Sequence, residues 1–112
     1  MRAIIAIVWM LTASVAIAQT GMASWYGPGF HGRKTSSGER FDQNAATCAH
    51  RTHRFGTRLR VTVIATGKSA VCRVNDRGPY AGARIIDVSR GVAARLGMLR
   101  SGVARVSVQT IR

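Results

Sequence analysis

Acidic side chains are nearly missing: Glu39, Asp42, Asp76 and Asp87 are the only four carboxylates in 112 residues, against 17 lysines and arginines, a formal net charge of +13. So few acids exclude a surface solubilised by mixed charge, and each carboxylate asks for its own explanation. Two cysteines are too few for a disulfide-dense miniprotein or a four-thiolate zinc site. Two prolines, and 12 glycines without a period, exclude a collagen-like chain, and a hydrophobic content of 46% excludes intrinsic disorder. No apolar run reaches the roughly 20 residues that span a bilayer. There is chain for one domain and no second core. Its charge suits an acidic partner: nucleic acid, a membrane surface, or an acidic polymer outside the cell.

The N-terminus narrows that choice. Arg2 precedes the apolar run Ala3 to Leu11, and small residues then lead to Ala16-Ile17-Ala18. A basic start, a short apolar stretch and an A-x-A site read as a cleavable export signal over residues 1–18, leaving residues 19–112 as the mature domain. No cysteine follows for lipid attachment, so the exported domain is expected to carry no membrane anchor. Export also argues against a nucleic-acid partner.

Local patterns give the mature chain its outline. Met22 to Tyr26 is expected to be a strand, and Gly27 to Gly38, with four glycines and a proline, a structured loop. Leu59 to Ile64 and Ala70 to Val74 are β-branched runs forming a hairpin about Thr66-Gly67-Lys68. Asp76-Arg77-Gly78-Pro79 signals a turn and Arg84 to Val88 a buried strand. Ser89 caps a helix that runs through Leu96 and ends at Gly97. Val103 to Ile111 closes the chain as a strand. The expectation is a mainly β protein, a compact barrel of short strands.

Glu39 and Asp42 lie three residues apart after the glycine-rich loop, and His50 follows eight residues later. Carboxylates and a histidine so spaced can form an acid/base cluster of the kind that cleaves glycosidic bonds. The same carboxylates could equally pair with arginines or cap turns.

Seven segments in register resemble the rare lipoprotein A family: Gly21–Gly27 (GMASWYG), His31–Asp42 (HGRKTSSGERFD), Thr47–His50 (TCAH), Phe55–Thr57 (FGT), Val74–Tyr80 (VNDRGPY), Arg84–Ser89 (RIIDVS) and Leu96–Met98 (LGM). The resemblance implies a six-stranded double-psi β-barrel with one or two short helices, the barrel of expansins. It implies a periplasmic lytic transglycosylase that cleaves peptidoglycan glycan strands stripped of stem peptides; the alternative is an expansin-like module that binds and loosens peptidoglycan. Asp42 falls on the family's essential aspartate and is expected to be the general acid, with Glu39 and His50 as further catalytic positions. Trp25, Tyr26, Asp76 and Arg77 are expected to bind substrate, with Phe41 helping Trp25 and Tyr26 to dry the cleft. Asp87 reads as structural, accepting hydrogen bonds from the turn before the Ser89 helix. At Thr52-His53-Arg54-Phe55 the chain departs from a leucine-proline pair more usual in the family.

Cys48 and Cys72 are open to two readings. In an oxidising compartment an even pair forms a bridge; zinc held by Cys48, His50, His53 and Cys72 is the alternative, although the spacing fits no zinc motif. No cofactor or metal is expected, and the domain is expected to work as a monomer.

Overall fold

A computed structural model describes residues 18–111, so the expected export signal lies, except for Ala18, outside the described residues. Six strands and one helix follow in the order β1 (Gln19–Trp25), β2 (Thr47–His50), β3 (Arg58–Val63), β4 (Ser69–Asp76), β5 (Arg84–Val88), α1 (Arg90–Leu96) and β6 (Val103–Ile111). They close into a barrel in the order β1-β5-β2-β4-β3-β6. The β1/β5 and β2/β4 pairs are parallel, the other four antiparallel.

Alternation directs the side chains. On β3, Leu59, Val61 and Val63 point into the barrel while Arg58 and Arg60 face solvent. Across the expected hairpin, the Val63 N–H donates to the Lys68 carbonyl and the Gly67 N–H to the Val63 carbonyl, with Gly67 at φ 75°. The core gathers Leu59, Val61, Val74, Ile86, Val88 and Val106 with Val92 and Leu96 of α1. The Ser89 hydroxyl accepts from the Val92 N–H and donates to the Ala45 carbonyl, capping α1 at its start. Gly97 closes it at φ 68°. Gly91 lets α1 seat against the loop before β2, since a Cβ there would stand 2.8 Å from the Asn44 carbonyl oxygen.

Both parallel pairings slip by one residue. Cys48 faces Val74 but Ala49 faces Asp76, and Met22 faces Arg84 but Ala23 faces Ile86. An extra residue in one strand reverses its alternation. Asn75 is thereby buried, and Asp76 follows Arg73 on the outer face of β4. These bulges position the site.

Cys48 and Cys72 form a disulfide with α-carbons 5.7 Å apart, joining β2 to β4. The bridge uses both sulfurs and removes the zinc reading, and no cluster of three metal-ligating side chains occurs among the described residues. No helix among them is long and apolar enough to cross a membrane.

Candidate active site

The ends of β1 and β4 and the outer face of β5 surround an open pocket of about 350 Å³, lined by Trp25, Tyr26, Gly27, Phe30, Asp76, Arg77, Arg84 and Asp87. Of the four carboxylates, Asp76 and Asp87 face it. Asp76 is fully engaged. The Tyr26 hydroxyl donates to its Oδ2 at 2.6 Å, and the Ser36 and Arg77 N–H groups donate to Oδ1 at 2.9 Å each. Burial works to raise the Asp76 pKa, but these three donors outweigh it and hold the carboxyl below the usual range. The Tyr26 phenol is driven well up, first by burial and then by the Asp76 carboxylate, and stays a neutral donor.

Asp87 is arranged differently. The Ser24 hydroxyl donates to its Oδ1, and the Arg84 guanidinium stands 3.8 Å from the same oxygen. Oδ2 makes no hydrogen bond among the described residues. The expectation that Asp87 serves the turn before α1 is therefore corrected: its partners come from β1 and β5, and it lines the pocket. Arg84 also donates to the Ser24 hydroxyl at 2.8 Å, closing a triad of Ser24, Arg84 and Asp87.

Trp25, Tyr26, Asp76 and Arg77, the expected substrate contacts, all line the pocket. Phe41 is buried and stacks on Tyr26 with ring centroids 4.2 Å apart, while Phe30 meets Tyr26 edge-on at 5.6 Å. Arg77 lies 4.0 Å over the Phe55 ring and donates to the His50 and His53 carbonyls.

None of the three expected catalytic residues lines this pocket. Asp42 is exposed, and its Oδ1 accepts from the Asn44 N–H at 2.9 Å, capping the turn that carries Asn44 beneath Gly91. Glu39 is exposed and takes both arms of Arg73, at 2.6 and 2.9 Å, with the Asn75 amide beside it. Those Arg73 hydrogen bonds hold its carboxyl below the ordinary range. His50 is buried at the end of β2, where its Nδ1 accepts from the Thr52 and His53 N–H groups at 3.1 Å each. The proton thus sits on Nε2, which donates to the Gln19 side-chain oxygen at 3.0 Å. Burial, then His53, Arg77 and Arg51, lower its pKa to about 4, so the ring is a neutral latch for the 50–53 turn. That turn in turn reaches the pocket, because Arg51 donates to the Pro79 and Arg84 carbonyls.

Comparison with known proteins agrees with this architecture. Residues 18–108 match the double-psi β-barrel family model described as "Lytic transglycolase". The chain is 53% identical over 100 residues to the probable endolytic peptidoglycan transglycosylase RlpA of Synechocystis sp., covering 89% of this chain and 31% of that one. It is 56% identical over 93 residues to the endolytic peptidoglycan transglycosylase RlpA of Neisseria meningitidis, covering 83% and 39%. The chain thus spans about a third of the length of these curated relatives. Among solved structures, a Streptomyces papain inhibitor superposes with a TM-score of 0.69 at 20% identity, covering 86% of this chain and 96% of that one. A Clavibacter michiganensis expansin mutant in complex with cellohexaose gives 0.68 at 19% identity, covering 86% and 51%. These two likenesses show the fold. By its sequence match and its closed six-stranded barrel, the chain belongs to the double-psi β-barrel family of lytic transglycolases.

Proposed function

We propose that this domain is an endolytic peptidoglycan transglycosylase of the cell envelope, cleaving the bond between N-acetylmuramic acid and N-acetylglucosamine in glycan strands stripped of stem peptides. The observation that carries the reading is the pair Asp76 and Asp87 facing one open pocket under Trp25 and Tyr26, in a chain of this family.

The chemistry needs one group that gives and then takes a proton. The acid protonates the glycosidic oxygen as the bond to the anomeric carbon breaks. The C6 hydroxyl of the same muramic residue attacks that carbon and loses its proton to the conjugate base, leaving a 1,6-anhydro end. The nucleophile is tethered to the electrophile, so no second carboxylate is required to hold a water. Asp87 is the carboxyl placed for this role. Its Oδ1 is held by Ser24 and Arg84. Its Oδ2, which meets no donor among the described residues, is the oxygen that carries the proton to the glycosidic oxygen and takes up the C6 proton. Asp76, kept ionised by its three donors, stabilises positive charge developing at the anomeric centre. Trp25 and Phe30 offer apolar faces to the sugar rings. Asp42 and Glu39 act away from this pocket, holding the turn under α1 and the side chain of Arg73.

The test is digestion of purified, peptide-stripped strands, with mass spectrometry of the ends. Anhydro-muramic ends are expected, and Asp87→Asn should lower their rate at least about a hundredfold while strand binding persists. Strands left intact where a control transglycosylase cuts them would point to a binding and loosening module instead.

A further inference from the structure

Arg58 of β3, Arg73 of β4 and Arg95 of α1 line a second concavity, of about 380 Å³, together with Ala46, Val71 and Cys72. It shares no lining residue with the first pocket. Arg58 and Arg73 are direct partners across an antiparallel pair, where like charges cost stability, and the last turn of α1 adds a third guanidinium. Glu39 answers one of the three, giving both its oxygens to Arg73. Arg58 and Arg95 have no carboxylate partner among the described residues. The floor is rigid, since Cys72 is fully buried and bonded to Cys48. The barrel thus holds a repulsive cluster of arginines in a fixed hollow, and an incoming anion would relieve it.

We propose that this hollow is an anion subsite for a carboxylate substituent of the glycan strand, the lactyl carboxylate of a muramic residue away from the cleavage point. The proposal rests on the transglycosylase reading above. The bulge at Asn75 puts Arg73 and Asp76 on the same outer face of β4, three residues and so about 10 Å apart. That is the order of one disaccharide repeat, so a strand seated at Asp76 and Asp87 carries a neighbouring lactyl group toward the arginines. Guanidinium groups match a carboxylate in shape and charge. Removal of the stem peptide turns a lactyl amide into a free carboxylate, so the subsite reads whether a strand has been stripped.

The test compares binding of two probes to the full chain: peptide-stripped strands, and the same strands with lactyl carboxylates converted to neutral methylamides. At low salt the wild type should bind the carboxylate form about tenfold more tightly. Arg58→Gln with Arg95→Gln should abolish that preference and leave affinity for the amidated strands within about twofold. Arg100→Gln with Arg105→Gln, which removes the same charge elsewhere on the surface, should reduce the preference by less than about twofold. Equal loss in both double variants, or an undiminished preference in the first, overturns the subsite. So does competition by inorganic phosphate at concentrations where carboxylate strands fail to compete, because the hollow would then be a phosphate site. Cleavage is read in the same samples. Missing anhydro ends with the preference intact overturns the transglycosylase reading alone, and normal cleavage with the preference absent overturns the subsite alone.

Discussion

His50 accepts two backbone N–H groups on one ring nitrogen, and a proton arriving there would have to displace both. Its folded pKa, about 4, lies below the ordinary 6.5, so the unfolded chain binds the extra proton first. The stability this gives is present above pH 6.5 and is lost as pH falls from 6.5 through about 4, by up to about 3 kcal/mol. Asp76 acts in the same direction but in a lower window, below its ordinary 3.8. Urea unfolding between pH 7 and pH 4 should therefore show the loss in the wild type and little of it in His50→Asn, which is weaker at neutral pH. Parallel curves would refute the neutral latch. Asp42 offers a sharper contrast. If it works by capping the turn at Asn44, Asp42→Asn keeps an acceptor and should hold the cleavage rate within about threefold, whereas Asp42→Ala should lose about 1 kcal/mol of stability. A hundredfold loss of rate in a well-folded Asp42→Asn would return the acid role to Asp42.

β2 and β4 each bring one cysteine to a parallel pair, and the disulfide ties them across a separation of 24 residues. A closed loop of that length restricts the unfolded chain by about 3 kcal/mol. Cys48→Ala with Cys72→Ala should lower the melting temperature by about 10 °C or more, with cleavage by the folded fraction retained, because neither sulfur takes part in proton transfer. An unchanged melting curve would mean that the bridge does not constrain the fold. The elements legible in the sequence were those with local signals. Ser89 and Gly97 bound α1, and the apolar run Arg84–Val88 matches β5 as expected. β1 begins earlier than its apolar residues suggest, because Gln19 and Thr20 are strand through pairing with Val108 and Ser107 of β6. β2, four residues long and buried throughout, is too short to show a period. The site divides in the same way. Tyr26, Asp76 and Arg77, expected at the cleft from the resemblance, line the pocket, but Asp87 reached it through a bulge in β5 and a hydroxyl 63 residues away, neither of which leaves a local trace. A carboxylate inside an otherwise apolar strand was the signal that could have found it.

Across the whole molecule, positive charge is almost unopposed. Of four carboxylates, Glu39 and Asp87 already face Arg73 and Arg84, so little negative surface remains to balance 17 basic side chains. Such a field attracts any anionic polymer over distances set by salt, about 8 Å at 0.15 M and about 3 Å at 1 M. Events inside the pocket work over shorter distances: Tyr26 and Asp76 meet at 2.6 Å, well within even the shorter screening length. The two scales should separate in one titration. Raising sodium chloride from about 0.05 to 0.5 M should weaken binding to purified sacculi by at least about tenfold, while the rate at saturating peptide-stripped strands changes by less than about twofold. The comparison is made by sedimentation of bound protein and by counting anhydro ends in matched samples. Binding that ignores salt would place affinity in stacking on Trp25 and Phe30 rather than in charge. A saturated rate that collapses with salt would show that surface charge also orders the reacting complex, contrary to a pocket preorganised by its own hydrogen bonds.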